Sequence, residues 1–170
     1  MGLHSLSEKD AKHVQAAEGW FELDNYLEAN AALDEITPAF RAHPDVLEVR
    51  WKIFAAGRQW EACRTIAKVL TDQVPERVYG WLFLAASHQM IGNIRGAYDA
   101  LVSVVDEFKH VPAVSFDLAR YACLLGNYQD AQRWIGLAIK KGGNEMKFRA
   151  LDEPDLKDFW ANIGQLGANG

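Results

Sequence analysis

The sequence predicts an all-α chain of four helix-turn-helix repeats closed by a C-terminal capping helix. Three observations carry that fold class. A shift of 34 residues aligns the chain with itself without a gap. The apolar positions inside each repeat follow helical spacing. Gly and Pro, at 13 and 5 of 170 residues, are too sparse for the many tight turns of an all-β chain. The length suits one compact domain or a short solenoid. Residues 1–170 are therefore read as a single domain, with repeats at about 10–43, 44–77, 78–111 and 112–145 and a capping segment at 146–166.

The columns of the repeat are specific. Ala17, Trp51, Ala85 and Ala119 fall in register, followed by Trp20, Phe54, His88 and Ala122. Further on, Tyr26, Trp60, Ile94 and Tyr128 align, then Ala29, Cys63, Ala97 and Ala131. Leu33, Ala67, Leu101 and Ile135 form the next column, and Ile36, Leu70, Val104 and Ala138 the last. A turn column reads Asn25, Gln59, Asn93 and Asn127. In the third repeat Trp81, Leu84, Ala85 and His88 follow i, i+3, i+4, i+7, the stripe of an amphipathic helix, and Ile94, Ala97, Leu101 and Val104 make a second. Gly92-Asn93 and Gly126-Asn127 stop one helix and start the next. Pro44, Pro75 and Pro112 stand between repeats, where a helix can begin.

The helices in order are therefore 8–23 and 26–40, 44–57 and 60–73, 77–91 and 94–108, 112–125 and 128–141. Ser7 is placed to cap the first. Gly142-Gly143-Asn144 breaks the chain after the fourth repeat. Asp152-Glu153-Pro154 then opens a last helix, whose apolar stripe is Leu156, Phe159, Trp160 and Ile163. A terminal solenoid repeat leaves one apolar face bare, and this stripe is suited to cover it. The tail Gly167–Gly170 reads as a frayed end.

This pattern resembles the tetratricopeptide repeat. The third repeat matches it best, with Trp81, Leu84-Ala85, Gly92 and Ala97, and the fourth supplies Leu118-Ala119, Gly126-Asn127-Tyr128 and Ala131. Asp24 and Arg58 depart from it at the usual turn glycine, and Trp51 at a small position. The resemblance implies a right-handed superhelix whose first helices line a concave groove. The groove positions it assigns are acidic in the N-terminal half (Glu18, Glu22, Asp45, Glu48) and mostly apolar in the C-terminal half. The partner-binding residues expected there are Tyr79, Leu82, Met90 and Phe116, with Glu48, Lys52 and Arg120 setting orientation. Some relatives grip a terminal carboxylate with Lys, Asn and Arg. The matching positions here, Val14, Glu18, Val49, Tyr79 and Phe83, hold none of these.

Composition limits the function classes. The chain is 49% apolar and 24% charged, an ordinary globular balance, with a net charge of −5. That charge argues against broad binding to nucleic acid or to an anionic membrane. The longest nearly apolar run, 81–86, is far short of the ~20 residues a membrane helix needs. The first residues, starting at Met1, show no apolar leader, and two cysteines are too few for a disulfide scaffold. The expected setting is a reducing cytoplasm. There is no phosphate loop, no G-x-S-x-G, no H-E-x-x-H and no C-x-x-C. His88, Cys63 and the tryptophans at positions 20, 51, 60, 81 and 134 fall on packing positions, and Trp160 on the capping stripe.

The expected function is a non-catalytic scaffold or adaptor without cofactor or metal. Its groove would take a protein or peptide partner, as an amphipathic helix or an apolar segment. The groove could equally be filled by a second copy or by the chain's own end. The alternatives are a small secretion-type chaperone of the same repeat class, and a small-molecule-binding regulator or enzyme accessory using Cys123, His88 or Arg120.

Overall fold

Where the 34-residue register places a helix, the chain forms one. A computed structural model describes residues 5–166, and every regular element among them is helical. In order these are α1 (Glu8–Glu22), α2 (Tyr26–Asp34), α3 (Pro44–Ala56), α4 (Trp60–Gln73), α5 (Val78–Met90), α6 (Ile94–Val102), α7 (Pro112–Leu124), α8 (Tyr128–Asp152) and α9 (Lys157–Leu166). Short 3-10 turns lie at Pro38–Phe40 and Pro154–Leu156. The leaderless start at Met1 and the frayed tail at Gly167–Gly170, both expectations from sequence, lie outside the described residues. The chain divides into two compact units, Met1–Ile91 and Gly92–Gly170. The division falls inside the third sequence repeat, at its turn.

The turn column repeats in backbone conformation. The residue before it is left-handed each time: Asp24 and Arg58 with φ 56°, Gly92 with 81° and Gly126 with 74°. The column residue follows with φ/ψ of −93/73° at Asn25, −86/63° at Gln59, −91/68° at Asn93 and −90/76° at Asn127. The side-chain oxygens of Asn25, Asn93 and Asn127 accept the N–H groups of Glu28, Gly96 and Asp130 at 3.3, 2.9 and 3.2 Å, so each caps the following helix. Gln59, one methylene longer, makes no such bond. Asp24 and Arg58 adopt the left-handed backbone without glycine, at a cost of about 1 kcal/mol each.

In the first unit the small columns mark the close helix contacts. Ala17, Ala29, Cys63, Ala67 and Ala85 are fully buried. Val14, Leu33, Ile36, Val46, Val49 and Ile53 complete one core between α1, α2 and α3. Leu47, Ile66, Leu70 and Val74 form a second. Trp51, bulky in a small column, lies flat on Phe83 with ring centroids 4.0 Å apart, and its indole N–H donates to the Ser87 hydroxyl at 3.1 Å. Trp20 departs from its expected packing position and is 40% exposed.

The second helix stops at Asp34, not at residue 40, because Pro38 excludes the residue before it from helical conformation. Thr37 is extended, with φ −47° and ψ 129°. Its N–H donates to the buried Asp10 carboxylate at 2.8 Å, and Arg41 takes the carbonyls of Asp34 and Ile36 at 2.9 and 3.1 Å. Ser7 caps α1 as expected, accepting the Asp10 N–H at 3.1 Å.

In the second unit Ala97, Leu101, Leu118, Ala119, Ala122 and Ala131 are buried between helices. Helix α6 stops at Val102, short of the expected 108, and the chain continues in turns with bonds such as Val104 N–H to Leu101 C=O at 3.2 Å. The β-branched Val102, Val104 and Val105 weaken helix there. The expected break comes at Gly143, with φ 64° and ψ −147°, but helix resumes at once and runs to Asp152. Met146 and Ala150, one turn apart and both buried, hold this extra helical stretch in place. Gly142 is needed for close packing, since a Cβ there would meet the Met146 Cβ at 2.9 Å and the Pro112 Cβ at 3.3 Å. The capping stripe packs as expected, with Leu156 and Phe159 buried and Trp160 half-buried.

Candidate partner-binding site

The first helices of the first unit, α1, α3 and α5, present one open face. Their spacing buries Val14, Val49 and Ile53 inward and turns the following positions outward. Two hollows lie on this face. One, of about 150 Å³, is lined by Glu18, Phe21, Glu22, Val49 and Lys52. The other, of about 270 Å³, is lined by Glu48, Lys52, Tyr79 and Phe83. Lys52 belongs to both and stands at their junction. Tyr79 is 58% exposed, with its ring 6.3 Å from that of Phe83.

The charges of this face fall into two groups. Arg77 bridges α5 to α3 through Asp45 at 2.6 Å and Glu48 at 3.1 Å. The hydrogen bond it donates to Asp45 and, less strongly, the one to Glu48 raise the guanidinium's proton affinity despite its partial burial. Glu18, Glu22 and Lys52, in contrast, make no hydrogen bond or ion pair among the described residues.

The seven residues expected from sequence divide between the two units. Glu48, Lys52 and Tyr79 line the hollows. Met90, at the end of α5, is 51% exposed, and Leu82 is half-buried. Phe116 requires correction: it is fully buried in the second unit, with the Arg149 guanidinium 4.4 Å from its ring centroid, and is a core residue. Arg120 is likewise engaged within its own unit. It holds Asp117 at 2.9 Å, Asp155 at 2.7 Å and Glu153 at 3.4 Å. The last two carboxylates belong to the C-terminal segment, so that segment covers α7 where an open groove was expected. The chain's own end was one of the occupants left open.

Burial opposes the charge on Arg120, but Asp117 and Asp155 outweigh it and hold the guanidinium firmly cationic. Burial pushes the Asp117 carboxyl up, with Arg120 acting against it. The two directions are compatible, because one guanidinium serves three carboxylates and the most enclosed one carries the desolvation cost.

Of the residues that a chemical role would use, Cys123 is buried and His88 half-buried; Cys63, a packing position, is fully buried. Burial raises the Cys123 thiol above its usual range and pushes that of Cys63 up to about 11. Burial, and next the Arg64 charge, pull His88 below the ordinary 6.5. Among the described residues no three His, Cys, Asp or Glu side chains gather as a metal site, and no helix is long and apolar enough to cross a membrane.

Phe21, Val49 and Phe83 were not among the seven. The register held a signal for the junction: Glu18, Lys52, Ala86 and Arg120 occupy one column, in which the charge changes sign along the chain.

Fold and site thus define an all-helical chain with a repeated interhelical turn and an open, charged and aromatic face on its first unit. No family model matches the chain. It is similar to the neurofilament light polypeptides of Xenopus tropicalis and Xenopus laevis, at 31% and 30% identity over 121 residues. That stretch is 71% of this chain, and the chain spans 19% of the length of those relatives.

Proposed function

We propose that this chain is a non-catalytic, cytoplasmic binding scaffold of the tetratricopeptide type, its repeats stacked as a right-handed superhelix. It holds a protein or peptide partner on the α1, α3 and α5 face. The 34-residue register and the four near-identical turns support the repeat reading. The observation that carries the function is the pair of hollows meeting at Lys52, the larger of them walled by the exposed Tyr79. An exposed aromatic beside a concave surface is a common anchor for a partner side chain.

A photo-reactive phenylalanine analogue at Tyr79 tests this. It should form a discrete protein adduct in cells, while the same analogue at Glu107 on the second unit should not. With the adducted partner in hand, Tyr79→Ser should weaken its binding about tenfold or more and leave the helical circular dichroism unchanged. Undiminished binding would remove the α1, α3 and α5 face from the function.

A further inference from the structure

We infer that the partner segment held on this face is cationic, with apolar side chains beside its basic groups. This rests on the face assigned under Proposed function and adds the chemistry of what it takes.

The charge distribution points that way. The first unit carries 13 acidic and 9 basic residues, whereas the second carries 10 and 9. The imbalance is concentrated at the start: residues 8–35 hold eight carboxylates against Lys9 and Lys12. Two of these, Glu18 and Glu22, stand one turn apart on α1, where like charges repel. Both line the smaller hollow without a hydrogen bond or ion pair among the described residues, and Lys52 is the one cation that shares its lining, which leaves the hollow net negative. A cation placed there relieves the repulsion. The hollow's apolar walls, Phe21 and Val49, suit the methylene stem of a lysine or arginine.

The larger hollow adds an independent requirement. Its walls, Tyr79 and Phe83, are aromatic and favour an apolar side chain or the flat face of a guanidinium. Lys52, at the junction, disfavours a partner cation between the hollows, so the basic group belongs at the α1 end and the apolar group at the α5 end.

The same charges weigh against other occupants. A second copy meeting this face through its own would set its Glu18 and Glu22 against the first pair. Nucleic acid, an anionic membrane and an acidic peptide meet the same repulsion.

The test uses the whole chain and two synthetic amphipathic peptides with identical leucine positions, one carrying lysine and one glutamate. Affinity is measured by calorimetry at low and raised salt, and association state by sedimentation. The lysine peptide should bind, with affinity falling as salt rises, and the glutamate peptide should not. The pair Glu18→Lys and Glu22→Lys should weaken binding about tenfold, and Glu18→Gln with Glu22→Gln should weaken it less. Asp106→Lys with Glu107→Lys, the same charge change on the second unit, should leave it near the wild-type value. Lys52→Glu should tighten it. Circular dichroism confirms that each variant folds.

Equal or better binding of the glutamate peptide, still lost in Tyr79→Ser, would overturn the cationic class and leave the face standing. Equal weakening by the two charge-reversal pairs, with Tyr79→Ser without effect, would overturn the inference and the face together. Failure of both peptides to bind, or a homodimer lost in Tyr79→Ser, also overturns the cationic class.

Discussion

Arg120→Met is the most informative single change in the second unit. The guanidinium lies 2.9, 2.7 and 3.4 Å from the carboxylates of Asp117, Asp155 and Glu153, and its side chain is 18% exposed. Methionine fills similar space and removes the charge. Three carboxylates would then face one another in a partly desolvated pocket, with the Arg149 charge still acting on Asp117. Removing one partner from a buried ion pair costs about 3–5 kcal/mol, and the residual exposure here places the expected loss near the lower end. Against a total stability of about 5–15 kcal/mol this is a large share.

Urea unfolding followed by tryptophan fluorescence reads the loss, because Trp134 and Trp160 both report on this unit. The cause is read from pH. In the variant the Asp117 carboxyl, already raised by burial, loses the opposing pull of Arg120 and rises further above its unfolded value. Such groups cost stability above the folded value, and the cost disappears as pH falls below the unfolded value. The deficit against wild type should therefore shrink as pH falls from neutral toward the ordinary carboxylate range. Adding Asp155→Asn to Arg120→Met should recover part of it. A loss below about 1 kcal/mol, or a deficit that does not narrow with acid, would refute an electrostatic clamp on the C-terminal segment.

Two further outcomes concern the first unit and the turns. Arg58→Gly should raise stability by about 0.5 kcal/mol, since relief of the left-handed backbone exceeds the entropy glycine adds to the unfolded chain. Gly126→Ala, where a Cβ meets nothing within 4 Å, should lower stability by about 1 kcal/mol through the backbone alone; thermal melts of both variants check the pair. Asp10 accepts hydrogen bonds from Ser7 and the Thr37 amide, which hold its carboxyl below the ordinary 3.8. Its contribution is complete above that value and is lost as pH falls through the lower folded one, so Asp10→Asn should flatten the acid limb of the stability profile.

The turns show how far local sequence reaches. Asn25, Asn93 and Asn127 cap their helices through their own side chains, a bond made within four residues. Such short-range geometry is legible without the rest of the chain. The overlong expectations for α2 and α6 had local causes too: Pro38 and the β-branched Val102, Val104 and Val105 carried the stop signals, and apolar periodicity overran them. The helix from 144 to 152 was not legible in the same way. Its double-glycine start reads as a stop, and only the burial of Met146 and Ala150 keeps that segment helical.

Leu82 and Phe116 mark the boundary between what sequence and tertiary structure determined. They occupy the same place in the 34-residue register, and the sequence by itself determined that both stand on a first helix, at an apolar position. Only the tertiary structure decided that Phe116 is fully buried while Leu82 is half-buried. The kink at Gly143 and the extra helical stretch carry residues 153–163 back over α7, where Asp155 meets Arg120 and Leu156 and Phe159 are buried. Helical periodicity is written within a few residues, because it follows from 3.6 residues per turn. Exposure is set by whichever distant segment returns to cover a face, and a repeat register carries no information about that return.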